Sequence, residues 1–139
     1  MRVNSHIETI SPVQHGGAGW AGLKGTGVLD FSTCCNPYGP PKSVHTALAK
    51  ADIALYPDPD CREFIGLLSG KIGAPQDNLI ATSGSTELIR LATLAYTGPG
   101  DTAIIPSPTY GEYELACRIT GARVVKYQLK QSKGFRLAA

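Results

Sequence analysis

The chain has 139 residues, of which 42% are hydrophobic and 17% charged, and this composition is typical of one globular domain rather than a disordered or fibrous segment. Its 13 basic and 11 acidic residues are scattered and give a formal charge of +2, which argues against a nucleic-acid or anionic-membrane partner. No apolar stretch approaches the roughly 20 residues that span a bilayer, and the amino terminus lacks the apolar core of a signal peptide, so we expect a cytoplasmic protein.

The first 40 residues are unlike the rest of the sequence. The segments His15-Gly16-Gly17-Ala18-Gly19 and Asn36-Pro37-Tyr38-Gly39-Pro40 indicate an irregular amino-terminal arm with one short strand, Val28 to Phe31. Long irregular segments in compact proteins are usually binding loops or segments that pack on another chain, and a disordered tail is the plain alternative. We therefore separate an arm, residues 1–40, from an α/β portion, residues 41–139.

Helical and strand signals alternate beyond Pro40. The segment Pro41 to Lys50 predicts a helix, because two prolines suit a helix entrance and apolar residues then recur at four-residue spacing. Asp60 is expected to cap a second helix, whose apolar side chains repeat at helical spacing until Gly73 and Pro75 end it.

Three short apolar runs then alternate with two more helices. The predicted strands are Leu79 to Thr82, Thr102 to Pro106 and Ala122 to Leu129. The first of these predicted helices begins at about residue 86, after Ser83-Gly84-Ser85. The second extends from Tyr110 to Thr120 and is closed by Gly121. This order implies an α/β fold with a mainly parallel sheet. Such strands are apolar on both faces when they are buried, which suits Ile104, Ile105, Val124 and Val125.

The segment Thr82-Ser83-Gly84-Ser85-Thr86-Glu87 lies between a predicted strand and a predicted helix. The first N–H groups of such a helix have no intrahelical acceptor and lie at the positive end of its dipole. That environment suits a phosphate, Ser85 and Thr86 add hydroxyl donors, and Gly84 lets the backbone come close. Small polar residues here are also ordinary helix caps, so both interpretations stay open. The segment is neither a Walker loop nor a G-x-G-x-x-G fingerprint.

The segment Pro106 to Tyr113 follows the next predicted strand. Ligands of open parallel sheets bind beyond the carboxyl ends of the strands, so this segment and the phosphate segment would share one crevice. Tyr110 would then stack on a flat ligand, whereas the alternative makes Tyr110 and Tyr113 ordinary surface or core aromatics. A third segment, Tyr56-Pro57-Asp58-Pro59-Asp60, is a rigid turn that could project the Tyr56 hydroxyl, although by itself it is only a turn.

The four cysteines, Cys34, Cys35, Cys61 and Cys117, have neither metal-site spacing nor the density of a secreted disulfide framework. No histidine cluster accompanies them, so we expect no metal site. We interpret them as reduced and mostly buried small side chains.

Six segments in this order resemble the landmarks of the histidinol-phosphate aminotransferase branch of the fold-type-I pyridoxal-phosphate enzymes, the class I and II aminotransferase superfamily. They are Asp30-Phe31-Ser32, Asn36-Pro37-x-Gly39-Pro40, Tyr56-Pro57-Asp58-Pro59-Asp60, Gly84-Ser85-Thr86-Glu87-Leu88-Ile89, Pro99-Gly100-Asp101 and Pro108-Thr109-Tyr110-x-x-Tyr113. The combination of His15-Gly16-Gly17 with Asp30-Phe31-Ser32 resembles the threonine-phosphate decarboxylases of cobalamin synthesis. The resemblance implies part of a three-layer αβα large domain over residues 41–139, preceded by the arm.

The resemblance also implies roles for individual residues. Gly84, Ser85 and Thr86 would hold the phosphate of pyridoxal phosphate, and Tyr110 would stack on its pyridine ring. Tyr56 would donate to the phosphate bound by a neighbouring subunit, so the site would be shared across a homodimer. A small phosphorylated amino acid or amine would be the substrate. The residues that would line its side of the site are His15, Gly16, Cys34, Asn36 and Gly39.

Two departures from the family pattern shape the functional expectation. Cys34 stands where the decarboxylase pattern has an asparagine, which removes an amide that should face the substrate. None of the lysines, from Lys24 to Lys133, lies in the Schiff-base motif, which the resemblance places beyond residue 139. We therefore expect a truncated enzyme of this family, decarboxylase or aminotransferase, with no catalytic residue among these 139. The alternative is a non-catalytic module that binds a phosphate ligand or a partner subunit.

Overall fold

The computed structural model describes residues 3–13, 15–16, 27, 29 and 31–137. The chain divides into two compact units: the first unit comprises residues 1–14 and 82–139, and the second unit comprises residues 15–81. The helices are α1 Ser5–Glu8, α2 Lys42–Lys50, α3 Arg62–Ile72, α4 Ser85–Tyr96 and α5 Glu112–Ile119. The strands are β1 Thr102–Ser107 and β2 Arg123–Gln128, and short 3-10 turns lie at Gln76–Asn78 and Gln131–Lys133.

The first unit is built on a parallel pair of strands joined by a helix. Strand β1 pairs with β2 from Thr102 opposite Arg123 to Ser107 opposite Gln128, and α5 connects the two. This arrangement confirms the predicted parallel pairing. Ile105, Cys117 and Ala122 form the core between α5 and the sheet, with Ala103 and Val124 packed against them. Helices α4 and α1 both pack on α5, and the His6 ring nitrogen Nε2 lies 3.2 Å from the carbonyl oxygen of Ile119.

One predicted strand is absent from the structure. Leu79 is extended, but no ladder forms from Leu79 to Thr82, and this segment leads directly into the bend that precedes α4. An extended segment becomes a strand only when a neighbouring strand takes up its N–H and C=O groups. Over the described residues, the sheet consists of β1 and β2 alone. The prediction of Leu79 to Thr82 as a third strand is therefore wrong for this structure.

The two faces of the sheet differ in burial. Ile105 is 8% exposed beneath α5, whereas its neighbour Ile104, on the opposite face, is 71% exposed. Successive side chains of a strand point to opposite faces, so a single covering helix buries only every second residue. Ile104, Ile105, Val124 and Val125 have the apolar pattern of strands buried on both faces, but only Ile105 is buried here, while Val124 is partly buried and Val125 exposed.

The start of α3 differs from the prediction, and its end agrees. Asp58, not Asp60, holds the helix start, because its carboxylate accepts from the N–H groups of Asp60 and Arg62. These two hydrogen bonds hold the pKa of Asp58 below its ordinary value, and the bond from the Arg62 N–H has the larger effect. Asp60 pairs instead with the guanidinium of Arg62. Gly73 ends α3 in the left-handed conformation as predicted, at φ of +72°.

Three of the four cysteines are exposed, namely Cys34, Cys35 and Cys61, so the expectation of mostly buried cysteines holds only for Cys117. The exposed ones lie outside helices and strands, and Cys117 faces the core from α5. Burial raises the pKa of the Cys117 thiol. Of the predicted strand from Val28 to Phe31, Val28 and Asp30 lie outside the described residues.

Helix α2 extends over the predicted residues but buries none of its side chains. In the part of the chain that the structure describes, no helix combines the length and apolar character needed to cross a membrane.

Candidate functional site

The amino terminus of α4 is the centre of the candidate site. Gly84 is the N-cap residue and adopts φ of +87°, a conformation that glycine enters without strain. Gly84 has no side chain that could accept a hydrogen bond from the N–H groups in the first turn of the helix. The Glu87 carboxylate accepts from the Ser83 N–H on the preceding bend. The N–H groups of the first turn and the hydroxyl of Ser85 thus lie at an exposed helix end.

Tyr110 lies directly beside this helix end. Its phenol oxygen is 3.0 Å from Oγ1 of Thr86, and the two residues are 24 positions apart in sequence. The Tyr110 ring also meets the Tyr113 ring edge-on, with centroids 6.1 Å apart and planes at 89°. The structure therefore brings together the segment before α4 and the segment after β1, as the shared-crevice prediction required.

The residues predicted to line the substrate side lie in the second unit, where two contacts organise their loops. A Cβ at Gly16 would lie 1.7 Å from the Ser32 carbonyl oxygen, so only glycine fits against that backbone. Asn36 closes a turn: its Nδ2 donates to the Gly39 carbonyl at 3.1 Å, and its Oδ1 accepts from the Tyr38 N–H at 3.0 Å. Asn36 thus uses both ends of its amide within its own loop.

The remaining sequence-predicted residues of the second unit are exposed. His15 and Cys34 both lie on its surface. Tyr56 is 95% exposed and precedes the turn in which Asp58 caps α3. Its hydroxyl is accordingly open to solvent, the condition that a contact with another subunit requires.

Residues 26–139 match the family model described as aminotransferase class I and II. The chain belongs to this aminotransferase family. This confirms the resemblance carried by the six sequence segments. Members of the family generally use pyridoxal phosphate, act on small molecules and form homodimers.

Several curated proteins are similar to this aminotransferase-family chain. A histidinol-phosphate aminotransferase of Moorella thermoacetica is 38% identical over 101 residues, which cover 71% of this chain and 26% of the relative. A protein of Caldanaerobacter subterraneus subsp. tengcongensis, named "Putative threonine-phosphate decarboxylase", is 33% identical over 137 residues, or 94% of this chain and 34% of the relative. A histidinol-phosphate aminotransferase of Erythrobacter litoralis is 31% identical over 126 residues, which cover 90% of this chain and 34% of the relative. The chain spans about a quarter to a third of these relatives' length.

The amino terminus of α4 fits the phosphate of pyridoxal phosphate. The helix has 12 residues, so its dipole presents about half a positive charge at this end. A Cβ on Gly84 would meet no atom within 4 Å, so the backbone faces open space into which an anion can come close. Ser85 and Thr86 add hydroxyls, and Tyr110 adds an aromatic face within reach of Thr86. These donors suit an anion that carries a flat ring.

A lysine also lies beside the Tyr110 turn. Lys126 of β2 lines, together with Tyr110, a cavity of about 210 Å³ at the carboxyl end of β1. Its Nζ is 2.7 Å from Oε2 of Glu114, and Arg118 donates to Oε1 of the same carboxylate at 2.7 Å. Hydrogen bonds from Lys126 and Arg118 hold the pKa of Glu114 below its ordinary value of 4.5, and the bond from Lys126 has the larger effect. The Lys126 side chain is therefore engaged in an ion pair with Glu114.

Replacing Glu114 with glutamine is expected to lower stability above pH 4.5, the ordinary pKa of the group, and to have little effect in stronger acid. Since the folded pKa is the lower one, the stabilisation is fully present above the unfolded pKa and is lost as pH falls through the folded pKa. Partly exposed ion pairs contribute little, so we expect a loss of about 1 kcal/mol at neutral pH. Urea unfolding of dilute wild-type and Glu114→Gln protein between pH 7 and pH 3 measures this difference in the free energy of unfolding. Lys126→Met should reproduce most of the effect, and a loss independent of pH would contradict the prediction.

The structure adds a pair of residues that sequence reasoning missed. Arg90 of α4 donates through Nη2 to Oε2 of Glu112 at the start of α5, at 2.9 Å. Glu112 is 1% exposed, so this carboxylate is buried between the helices, whereas the Arg90 side chain is 47% exposed. In the sequence both are ordinary charged residues 22 positions apart. The four-residue step from Thr86 to Arg90 is the signal that could have placed Arg90 on the Tyr110 side of α4.

Proposed function

We propose that this chain forms the phosphate-binding and ring-binding part of a pyridoxal-phosphate enzyme. The enzyme acts on a small phosphorylated amino acid or amine, as a threonine-phosphate decarboxylase or a related aminotransferase does. The observation that carries the proposal is the 3.0 Å contact between Thr86 Oγ1 and the Tyr110 phenol at the amino terminus of α4. It joins an anion-binding helix end to an aromatic face, and family membership supports the same assignment.

Each residue of the first-unit site has a distinct task in this proposal. The backbone at Gly84 and the hydroxyls of Ser85 and Thr86 hold the phosphate, and Tyr110 packs on the pyridine ring. When bound, pyridoxal phosphate supplies an electron sink for the bond broken next to the substrate nitrogen. The residues of this chain orient the group and keep one of its faces covered. In this proposal, no lysine of the chain forms a covalent bond with the cofactor.

The substrate and subunit assignments rest on the family. His15, Gly16, Cys34, Asn36 and Gly39 would lie on the substrate side, with the Gly16 and Asn36 contacts giving their loops a fixed shape.

The exposed Tyr56 hydroxyl would reach the phosphate bound by a partner subunit of a homodimer.

A cytoplasmic setting suits an enzyme that acts on small soluble metabolites.

Pyridoxal phosphate should bind the 139-residue chain reversibly and should be displaced by inorganic phosphate, whereas pyridoxal without the phosphate should bind much more weakly. Absorbance titration measures the affinities. Borohydride reduction followed by peptide mapping should then find no stoichiometric pyridoxyl group on a single lysine. Lys126 is the position to inspect, since it lines the cavity beside Tyr110.

A stoichiometric adduct on Lys126, absent from Lys126→Met, would contradict the proposal that this chain supplies no covalent lysine. Equal affinity for pyridoxal with and without phosphate would contradict the phosphate assignment itself.

A further inference from the structure

The first observation is the burial of Glu112 at the start of α5. Its side chain is 1% exposed, and the partner guanidinium of Arg90 comes from a different helix and is 47% exposed. The carboxylate has lost its hydration, whereas the guanidinium keeps much of its own. A buried carboxylate is stable only where charged or polar groups replace the lost water. Arg90 is one of the groups that do so for Glu112, and it is supplied by α4.

The second observation is how this pair lies relative to the candidate site. Thr86 and Arg90 are four residues apart on α4, which puts them one turn apart on the same side of the helix. Tyr110 and Glu112 are two residues apart in the turn that starts α5. Two links thus join the same two segments: Thr86 to Tyr110 at 3.0 Å, and Arg90 to Glu112 at 2.9 Å.

We propose that Arg90 and Glu112 are positioning residues for the cofactor site: their ion pair fixes α4 against the Tyr110 turn, and so sets the spacing between the phosphate-binding residues and the ring-binding tyrosine. The inference rests on the proposed function, because it concerns the same site. The Thr86–Tyr110 bond lies among exposed or half-exposed groups, where water competes for both partners. The Arg90–Glu112 pair is the link with a buried end, so it resists a shift of one helix along the other.

The geometry makes the two partners unequal. Arg90→Met removes a counter-charge from a buried carboxylate, which then draws water or a new cation into the helix interface. Glu112→Gln removes the buried charge but keeps the shape of the side chain and an oxygen that accepts from Arg90. Arg90→Met should therefore disturb the site far more than Glu112→Gln does.

Hydrogen–deuterium exchange of the 139-residue chain tests the inference without any ligand. In Arg90→Met, exchange at residues 88–91 and 113–115, whose N–H groups bond to carbonyls at the starts of α4 and α5, should speed up by about tenfold relative to residues 123–128 of the same unit. Arg90→Lys, which keeps the charge, should restore most of the protection. Arg118→Met is the matched control, since it breaks an arginine–glutamate pair within α5, and it should leave both segments unchanged.

The dissociation constant for pyridoxal phosphate gives a second measurement. It should rise by about tenfold in Arg90→Met and by no more than about twofold in Glu112→Gln and Arg118→Met. If the wild-type chain binds no pyridoxal phosphate, the proposed function fails, and the exchange data still decide the positioning role. Uniformly faster exchange throughout the first unit in Arg90→Met would overturn the inference, because it would show a loss of stability alone. Should Arg90→Met not fold, failure of Arg90→Lys to protect the two segments would overturn it equally.

Discussion

Replacing Ser85 with aspartate is expected to abolish binding of pyridoxal phosphate while leaving helix α4 at least as stable as before. Ser85 is the first residue of α4, where a carboxylate interacts favourably with the helix dipole by about 0.3–1 kcal/mol. The same carboxylate would lie about 4 Å from a bound phosphate, where each pair of like charges costs about 1–4 kcal/mol. Affinity should therefore fall by at least about 100-fold.

Thermal unfolding and absorbance titration of the same samples separate the two effects. Ser85→Ala is the matched control: it removes one hydroxyl donor without adding charge, so the affinity should fall by only about fivefold. An unchanged affinity of Ser85→Asp for pyridoxal phosphate would show that the phosphate does not bind at this helix end. Since the charge change stabilises the helix, a loss of affinity could not be attributed to unfolding.

The second large effect concerns self-association of the isolated 139-residue chain, which we expect to sediment as oligomers rather than as a monomer. Ile104 of β1 is 71% exposed, and it belongs to an apolar groove of about 410 Å³ that also includes Ile105, Pro106 and Tyr113. Within the described sheet, each strand pairs with only the other, so each has an edge free for a further strand. Exposed edges beside apolar surface promote association of identical chains.

The energies involved are sufficient to decide the outcome. Burying one large apolar side chain contributes about 1.5–3 kcal/mol, and a domain is stable by only about 5–15 kcal/mol. Ile104→Lys should therefore shift the chain strongly towards the monomer in sedimentation velocity experiments. Leu67→Lys is the matched control, because Leu67 is also 71% exposed but lies on helix α3 of the second unit. A monodisperse wild-type monomer with a sharp unfolding transition would contradict the prediction.

Elements with local signals were predictable from the sequence. Helix α3 ends at Gly73 and α5 is followed by Gly121, and both glycines adopt the positive φ that such helix ends require. The parallel pairing of β1 with β2 followed from a strand, a helix and a strand in succession. In each case the deciding interaction lies within a few residues or in a connection of standard type.

A missing neighbouring strand and the geometry of one turn explain the errors. Leu79 to Thr82 has the composition of a strand, but composition cannot supply the neighbouring strand that a ladder needs. Asp60 was a reasonable cap by position, yet the turn closed by the Cys61 N–H and the Asp58 carbonyl places the Asp58 carboxylate over the helix start instead.

The candidate site was predictable to a similar extent. The meeting of Thr86 and Tyr110 was predicted from the rule that ligand-binding loops gather at the carboxyl ends of parallel strands, and it holds here although the strand expected before α4 does not form. The Arg90–Glu112 pair was not predicted, because charged residues on two helices usually face solvent, and only packing buried one of them.

The attachment of α1 has a consequence for the order in which the first unit assembles. His6 meets Ile119 across 113 residues of sequence, whereas paired residues of β1 and β2, such as Thr102 and Arg123, are only 21 apart. For a flexible chain, closing the longer loop costs about 1.5 kcal/mol more in chain entropy. Helix α1 has four residues and buries none of them, so it has little with which to offset that cost. The strand pair and α5 should therefore form first and α1 should dock last, so that this unit folds in the reverse of the order in which a ribosome makes it.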